Sequence, residues 1–278
     1  MGTNNLIQSI AHPTDFSETS AGAFSHALRM ALATKSRLYL LHVRERGSRD
    51  AWTSFPHVRE LLARWGLMGL HEPPSNIEAK LGIKVMKVEI QHHNPTSGLF
   101  EFILSHRPDL IVLATHGREG LYRWLSGSVS EEIARRTHIP TLFIGPKSQG
   151  FVDPVTGQMR LERVLVPVAH DPSPVRSLSI LASLLEPLGI FSAAIHFLHI
   201  GDQPPEIEAA SGDNRQGGVN VMEGPVVETI VRVAQECHAN MIAMPTAGHK
   251  GFLDTLRGST TEQVLRQAPC PLLAIRTA

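Results

Sequence analysis

Cysteine is nearly absent from this chain of 278 residues, which has only Cys237 and Cys270. Both fall in segments typical of a helix end and a strand start, so two small buried side chains in a reducing compartment are favoured over a disulfide or a metal site. An excess of charge of either sign is also absent, because 26 Lys and Arg residues balance 26 Asp and Glu residues. This balance argues against binding to nucleic acid or to an anionic membrane.

Long apolar runs are missing as well. No segment reaches the length that a membrane-spanning helix needs. Residues 1–5 lead into a strand pattern without the basic and apolar regions of a signal peptide. We therefore expect a cytoplasmic protein that does not associate with membranes.

Histidine is frequent, with 15 residues, but the spacing typical of metal ligands is lacking. The sequence has no His-x3-His motif and no cluster of Cys and His with zinc spacing. His92 and His93 are adjacent, and His196 and His199 are three apart. On strands, the two members of each pair are expected on opposite faces. No metal site is predicted.

What the sequence does have is a repeat. Ala114-Thr115-His116-Gly117 is followed after nine residues by Gly127-Ser128, and Pro245-Thr246-Ala247-Gly248 is followed after nine residues by Gly258-Ser259. Each copy follows a short apolar run typical of a buried parallel strand and precedes an amphipathic helical stretch. A strand, a glycine-bearing loop and a helix N-terminus together present backbone N–H groups to an anion. The repeat is therefore a duplicated candidate for a phosphate-binding loop.

A second interpretation of the repeat needs no ligand. Ser128-Val129-Ser130-Glu131 and Ser259-Thr260-Thr261-Glu262 both fit the S/T-x-x-E capping box, in which side chains bind the first N–H groups of a helix. The loops are not of the Walker type, because no Gly-Lys-Ser/Thr follows the glycines. Helix capping and anion binding therefore both stay open.

On these residues the chain resembles the universal stress proteins in their tandem two-domain form. Nucleotide-binding members of that family carry a Gly-x2-Gly-x9-Gly-Ser/Thr signature, and Thr115-His116-Gly117-Arg118 with Gly127 and Ser128 is similar to it. The first glycine of the signature is replaced by Ala114 in the first copy and by Pro245 in the second. Alanine is a mild change at a negative φ, whereas proline fixes φ and removes a donor.

A second family feature follows the first predicted strand. In members that bind ATP, the acidic residue after that strand lies at the adenosine, and Asp15 matches it. By itself, Asp15 is also typical of an Asx turn or of a helix N-cap before the helical segment 18–34. In the second half Pro167 matches Pro13, and Ala169 falls where Asp15 stands, so the carboxylate is missing there.

The resemblance implies two sets of site residues, and the residues themselves suggest no catalytic group. The expected nucleotide contacts in the first half are Pro13, Thr14, Asp15, the backbone of Val43, Thr115, His116, Gly117, Arg118, Gly127, Ser128, Val129 and Ser130. The expected weaker contacts to a nucleotide or another anion in the second half are Pro167, Val168, Gly248, Gly258, Ser259 and Thr260. The implied ligand is ATP or another adenine nucleotide, with or without Mg²⁺.

Strand patterns alternate with helical patterns in both halves. Strands are expected at 6–13, 36–43, 83–91, 109–114 and 141–144, then at 163–168, 191–199, 219–222, 240–244 and 271–275; helices in the first half are expected at 17–34, about 51–68, 95–106 and 128–137. This alternation predicts parallel strands joined by right-handed crossovers. The expected fold class is α/β, with two Rossmann-like open parallel five-stranded sheets flanked by helices. The resemblance implies the adenine nucleotide alpha hydrolase-like form.

Two domains are expected, at 1–147 and 161–278, with a linker at 148–160 that is rich in turn-forming residues. In universal stress proteins with a single domain, the last strands pair across a dimer axis. The resemblance therefore implies that Thr141–Ile144 and Leu272–Ile275 pair within one chain. Such a pseudo-dimer closes two sheet edges.

The function favoured by these features is a stress-response protein that binds ATP, ADP or AMP as a sensor or regulatory module. One alternative is an interaction scaffold without a nucleotide, which the replaced first glycines favour. Another is slow ATP hydrolysis or a metal-dependent hydrolase that uses loop histidines, although the sequence has no Ser-His-Asp set and no paired loop carboxylates. The expected partners are the nucleotide, an unidentified protein and a second copy of the chain.

Overall fold

The computed structural model describes residues 7–44, 57–115, 139–146, 148–190, 193–207, 218–246 and 260–276. Within these ranges strands and helices alternate, and all ten strands that the sequence pattern predicts are present. None of the helices in these ranges combines the length and the apolar character that crossing a lipid bilayer requires.

The first half contributes five strands and four helices in its described part. They are β1 (Ser9–Pro13), α1 (Glu18–Thr34), β2 (Arg37–Arg44), α2 (Val58–Arg64), α3 (Asn76–Leu81), β3 (Lys84–Gln91), α4 (Pro95–His106), β4 (Leu110–Ala114) and β5 (Thr141–Ile144). The helix expected at about 51–68 is shorter within the described residues. The pattern does not predict α3, because this six-residue helix buries only Ile77 and has no periodic apolar face. The helix expected at 128–137 lies outside the described residues.

The second half repeats the order with fewer helices in its described part. Its elements are β6 (Arg163–Pro167), α5 (Pro174–Leu185), β7 (Ala194–Ile200), β8 (Asn220–Met222), α6 (Val226–Glu236), β9 (Met241–Thr246), α7 (Thr260–Gln267) and β10 (Leu272–Arg276).

All ten strands form one sheet in the order β3-β2-β1-β4-β5-β10-β9-β6-β7-β8. Neighbouring strands are parallel within each half, and β5 and β10 are antiparallel, with Leu142 opposite Leu273. The predicted pairing of the last strands is therefore confirmed. The two five-stranded sheets join edge to edge, so neither β5 nor β10 is left as an exposed edge.

Helices cover both faces of the sheet, which is why a central strand such as β4 (Leu110–Ala114) is apolar along its whole length. On one face, Val112 of β4 packs in a cluster with Phe24 of α1. On the other face, Ile111 packs with Ile103 of α4. Each apolar residue removed from water contributes about 1.5–3 kcal/mol, so this double burial is the main source of stability.

Polar side chains and backbone groups fix the ends of α1. Its N-cap is Ser17, whose hydroxyl accepts a hydrogen bond from the Ser20 N–H at 3.2 Å. Its C-cap is Lys35 in the left-handed conformation, with the cap N–H bonded to the Ala31 carbonyl. The start of α1 therefore lies directly after the turn that carries Asp15.

The segment expected to be a linker, 148–160, packs against the first half. Val152 and Met159 form an isolated antiparallel bridge, and Phe151 and Val152 are buried. The Val152 N–H donates to Nε2 of His26 in α1 at 3.2 Å. Turn-forming residues predict a connection here, but only the three-dimensional fold reveals the pocket that receives Phe151.

Candidate functional site

The candidate site lies at the carboxyl ends of β1, β2 and β4. The chain passes from β1 to β2 on one side and returns to β4 on the other, so β1 and β4 flank the point where the strand order reverses. In open α/β sheets, ligands bind in the crevice at this point. Asp15 follows β1, Val43 lies in β2 and Thr115 follows β4. The structure thus brings these three predicted residues to one edge of the sheet.

Asp15 lies in an Asx turn, as one of the two sequence interpretations predicts. Its Oδ1 accepts a hydrogen bond from the Ser17 N–H at 3.0 Å. The N-cap of α1 is Ser17, so Asp15 itself is not the cap. The turn uses one oxygen of the carboxylate and holds the side chain, half-buried, at the edge of the crevice.

Thr14 points into the protein, unlike a side chain that contacts a ligand. Its hydroxyl accepts hydrogen bonds from the Ser20 hydroxyl at 2.8 Å and from the Phe16 N–H at 3.1 Å, and the residue is buried. Its N–H donates to the Leu41 carbonyl of β2 at 2.8 Å. Thr14 therefore ties the turn to α1 and β2. Pro13 is buried as the last residue of β1, opposite Leu41.

Val43 offers backbone groups to the crevice. The last residue of β1, Pro13, pairs with Leu41, and the Leu41 carbonyl already faces β1. Alternate residues of a strand direct their N–H and C=O to the same side. Val43 is two residues beyond Leu41, so its N–H and C=O face the side where β1 has ended.

His42 supports the turn from below and was not among the predicted site residues. It is buried, and its Nδ1 lies 3.0 Å from the Thr14 carbonyl, to which an Nδ1–H donates. Its ring stacks on Phe16 with centroids 4.1 Å apart. Phe16 has φ +62°, a left-handed conformation that costs an aromatic residue about 1–3 kcal/mol. The stack and the Thr14 contact hold the turn in this shape.

The second half repeats this arrangement with different side chains. His199 lies with Nδ1 3.0 Å from the Val168 carbonyl, and the Val168 N–H donates to the Leu198 carbonyl at 2.8 Å. A matching histidine in the second half is therefore the sequence signal that points to His42. Ala169 follows Val168 where Asp15 follows Thr14, so this edge of the second half carries no carboxylate at that position.

The next residue in the second half is His170, where the first half has Phe16. Its Nε2–H donates to the Gln203 carbonyl at 3.0 Å, and its ring meets His199 edge-on with centroids 6.2 Å apart. The segment after β7 is thereby fastened to the turn after β6. Pro167 and Val168 are both buried. The predicted contacts Pro167 and Val168 thus occupy structural positions in this half.

The two residues that replace the first signature glycine, Ala114 and Pro245, differ in how well they suit the backbone at that position. Ala114 is the last residue of β4, where an extended backbone accepts alanine without strain. Pro245 lies within β9 opposite Ile275, where it offers no N–H. The replacement is therefore mild in the first half and larger in the second.

Most of the glycine loops lie outside the described residues. This applies to the predicted contacts His116, Gly117, Arg118, Gly127, Ser128, Val129, Ser130, Gly248, Gly258 and Ser259. The residue before each undescribed stretch is placed: the Thr115 N–H donates to the Ile144 carbonyl at 2.9 Å, and the Thr246 hydroxyl donates to the Ile275 carbonyl at 3.4 Å. Thr260 begins α7. Each loop thus leaves the carboxyl end of a central strand.

His12 lies in β1 beneath the site, and its ring reaches the neighbouring strand β4. It is buried, and its Nδ1 is 3.0 Å from the Val112 carbonyl. Burial lowers the pKa of His12 from 6.5 to about 4, because the charged form loses its hydration. At neutral pH the ring is uncharged and its Nδ1–H donates to the carbonyl. His12 therefore has a structural role and is poorly suited to act as an acid or base near pH 7.

The histidine pairs give one correction and one confirmation. The rings of His92 and His93 stack with centroids 4.4 Å apart, so the prediction of opposite faces is wrong for them. The reason is that β3 ends at Gln91, before both residues. His196 is exposed and His199 is buried, as predicted for opposite faces of β7. Among the described residues, no group of three or more His, Cys, Asp or Glu is placed to hold a metal ion.

Both cysteines are free thiols, as the sequence predicts. Cys270 is buried, and this burial raises its pKa to about 12. The prediction of a buried side chain is wrong for Cys237, which is only half-buried because it lies at the C-cap of α6, where the helix ends; burial also raises its pKa. Neither thiol has the lowered pKa that a reactive cysteine needs.

Comparison with known proteins identifies the family. The model of the universal stress protein family matches residues 7–145 and 202–276. The chain belongs to the universal stress protein family. The universal stress protein MJ0531 of Methanocaldococcus jannaschii is 32% identical to it over 143 residues, which span 50% of this chain and 83% of that protein.

Solved structures of universal stress proteins match all or half of this chain, and the fold is shown by the first of the two that follow. One from Archaeoglobus fulgidus matches with a TM-score of 0.61 and 19% identity, and the match covers 99% of this chain and 100% of that one. Another was solved in complex with cAMP and matches with a TM-score of 0.34 and 20% identity, covering 50% of this chain and 97% of that one. The present universal stress protein has the adenine nucleotide alpha hydrolase-like fold, in an arrangement that fits two family domains in tandem.

Proposed function

We propose that the first half binds an adenine nucleotide, ATP, ADP or AMP, and that the protein acts as a sensor or regulatory module in a stress response. The observation that carries the proposal is the meeting of Asp15, the Val43 backbone and the start of the glycine loop after Thr115 at one reversal point of the sheet. The family includes a protein solved with a bound nucleotide, cAMP.

Each element suits a different part of the ligand. A carboxylate such as that of Asp15 accepts hydrogen bonds from ribose hydroxyls. The Val43 N–H and C=O, side by side beyond the end of β1, match the donor and acceptor on the edge of adenine. The glycine loop that the sequence predicts after β4 is proposed to offer N–H groups to the phosphates, with Mg²⁺ as an optional companion.

The second half is proposed to bind more weakly or to serve as a scaffold. Ala169 supplies no carboxylate, Pro245 supplies no N–H, and the contact between His170 and Gln203 ties a loop to the turn. An interaction scaffold for another protein or a second copy of the chain is therefore favoured for this half.

ATP titration by calorimetry tests the proposal with two substitutions of one residue. Asp15→Asn keeps an oxygen that accepts from the Ser17 N–H and removes the charge, whereas Asp15→Ala removes both. Loss of a charged hydrogen bond is expected to weaken ATP binding roughly ten- to a hundredfold in both variants. Asp153→Asn is the matched control. Asp153 also accepts a backbone N–H in an Asx turn, but it belongs to the segment 148–160, so this variant should bind ATP like the wild type. Failure of the wild type to bind ATP, ADP or AMP would overturn the proposal.

A further inference from the structure

A pocket of about 400 Å³ lies at the amino end of the first-half strands, opposite the candidate site, where α5 of the second half crosses. We call it the seam pocket. Its apolar wall consists of Ile7, Ile139 and Pro140 from the first half with Ile180 and Leu184 from α5. Its volume and its position between two halves of a chain are typical of small-molecule sites.

The two halves are related closely enough to find the counterpart of this pocket. Asp109 accepts hydrogen bonds from the Gln8 and Ser9 N–H groups, and Asn240 does the same for Glu162 and Arg163 in the second half. In each half, the residue two positions before this Asp or Asn has a left-handed backbone conformation.

These two left-handed residues are Arg107, with φ +43°, and His238, with φ +49°. Arg107 directly follows the last residue of α4, and His238 lies two residues after the last residue of α6. The seam pocket, lined by Arg107, therefore has a counterpart near His238.

The helix wall of the pocket has a counterpart too. The β1–β2 and β6–β7 pairings relate Leu41 to Leu198, and the same separation along the chain relates His26 of α1 to Ser183 of α5. The buried positions agree with this match, since Leu28 and Leu185 coincide. Ser183 lines the seam pocket, and His26 occupies its place in the counterpart.

In the counterpart, the chain itself supplies the occupant. Phe151 is buried against His26, with ring centroids 4.6 Å apart and nearly perpendicular planes. The next residue, Val152, donates its N–H to His26 Nε2 at 3.2 Å. The nearby Gln149 N–H donates to the Pro269 carbonyl at 2.9 Å, at the edge of the second half. An aromatic side chain thus fills this position between the halves.

On the side of the seam pocket, the described residues include no counterpart of Phe151. Ser183 takes less space than His26, so the described residues leave a cavity at this position. Arg107 is exposed at the rim, and its guanidinium makes no hydrogen bond or ion pair with the described part of the chain. The nearby Asp109 carboxylate is engaged by three donors, since the Ser9 hydroxyl also bonds to its Oδ2. The Arg107 guanidinium therefore lies beside an apolar cavity, and in the counterpart of this cavity the ring of Phe151 packs against His26.

We propose that the seam pocket binds a small molecule with an aromatic ring and a carboxylate. The ring lies between Ile180 of α5 and Ile139 of the first half, next to Ser183, at the place that corresponds to Phe151 beside His26. The carboxylate pairs with Arg107. This site is separate from the proposed nucleotide site, which lies at the carboxyl edge of the same strands, and does not depend on it.

Phenylacetate is the probe, titrated into the full chain with methyl groups observed by NMR. One molecule per chain is expected, with intermolecular NOEs from ring protons to the Ile180 methyls. Ser183→Phe fills the pocket and should abolish these NOEs. The smaller Ser183→Leu should weaken phenylacetate binding. The thermal unfolding midpoint of Ser183→Leu should stay that of a folded protein. Absence of binding at millimolar phenylacetate, or binding that persists in Ser183→Phe, overturns the proposal.

The carboxylate contact has its own comparison. Arg107→Asn removes the charge, and asparagine tolerates left-handed φ. Because an exposed ion pair contributes up to about 1 kcal/mol, phenylacetate should bind up to about fivefold more weakly in this variant, whereas neutral 2-phenylethanol should bind equally to both proteins. His238→Asn is the matched control and should leave phenylacetate binding unchanged. Equal weakening by Arg107→Asn and His238→Asn contradicts the assignment of Arg107.

Discussion

His42 and Phe16 stack with ring centroids 4.1 Å apart, directly beneath the turn that carries Asp15. His42 also reaches the Thr14 carbonyl, so one buried side chain holds two of the three residues of the turn. The geometry of the proposed adenosine contact therefore rests on a residue that need not touch the ligand.

His42→Phe keeps an aromatic ring but removes the donor to the Thr14 carbonyl. A buried carbonyl left without its partner costs about 1–3 kcal/mol, so the free energy of unfolding in urea should fall by that amount. ATP binding should weaken as well, because the turn loses its support. His199→Phe removes the same contact from Val168 and serves as control. It should destabilise the protein similarly without changing ATP affinity, and an equal loss of ATP affinity in both variants would contradict the positioning role.

Stability is expected to fall in mild acid because of His26. Burial lowers the pKa of His26 from 6.5 to about 4, so between these values the unfolded chain binds a proton that the folded protein does not. Its contribution is fully present above pH 6.5 and is lost as the pH falls toward 4, by at most about 3 kcal/mol. Protonated Nε2 also cannot accept from the Val152 N–H. Urea unfolding of the wild type and of His26→Gln across this range measures the effect; equal pH slopes for both proteins would refute it.

Gly157 fixes the contact between the linker segment and the first half. It has φ +69°, and an added Cβ would lie 2.5 Å from Trp65 Cδ2. Gly189 has φ +71° with nothing within 4 Å of an added Cβ, so Gly189→Ala measures the cost of φ alone. That cost should be about 1 kcal/mol, and Gly157→Ala should lose about 1–3 kcal/mol more because Trp65 must move. Thermal unfolding compares the two variants, and equal losses would show that the Trp65 contact is unimportant.

One nucleotide per chain is expected at saturation. The first half has Asp15 and an extended Ala114, whereas the second half has Ala169, Pro245 and a loop fastened through His170. Calorimetric titration with ATP should give a stoichiometry near one, and the Asp15→Ala protein should lose that single transition. Two equivalent sites per chain would show that the differences between the halves do not affect binding.

The sequence predicts the sheet well because its information is local. Short apolar runs mark the strands, and the repeated loops mark the two halves. The pairing of β5 with β10 followed from the family resemblance, since no local pattern in either strand specifies its partner.

Other features depend on contacts between distant residues. His42 is one of several histidines in the predicted strands. Apart from the matching His199, the sequence gives no sign that it differs from the exposed His196, because its contact with Thr14 exists only in the fold. The turn-rich segment containing Phe151 looked like a simple connection, because its pocket is built from α1 and the edge of the second half. Among the predicted contacts of the first-half site, Asp15, Val43 and Thr115 could be placed together, and the glycine-loop residues after Thr115 remain a prediction.

The most direct test of the nucleotide proposal is the content of the purified protein. The protein is denatured, and the released small molecules are separated by anion exchange, with Gly127→Val and Asp15→Ala prepared in parallel. The account predicts adenine nucleotide released from the wild type and little from either variant. A wild-type protein that releases none, and that also fails to bind added ATP, ADP or AMP, would contradict the account.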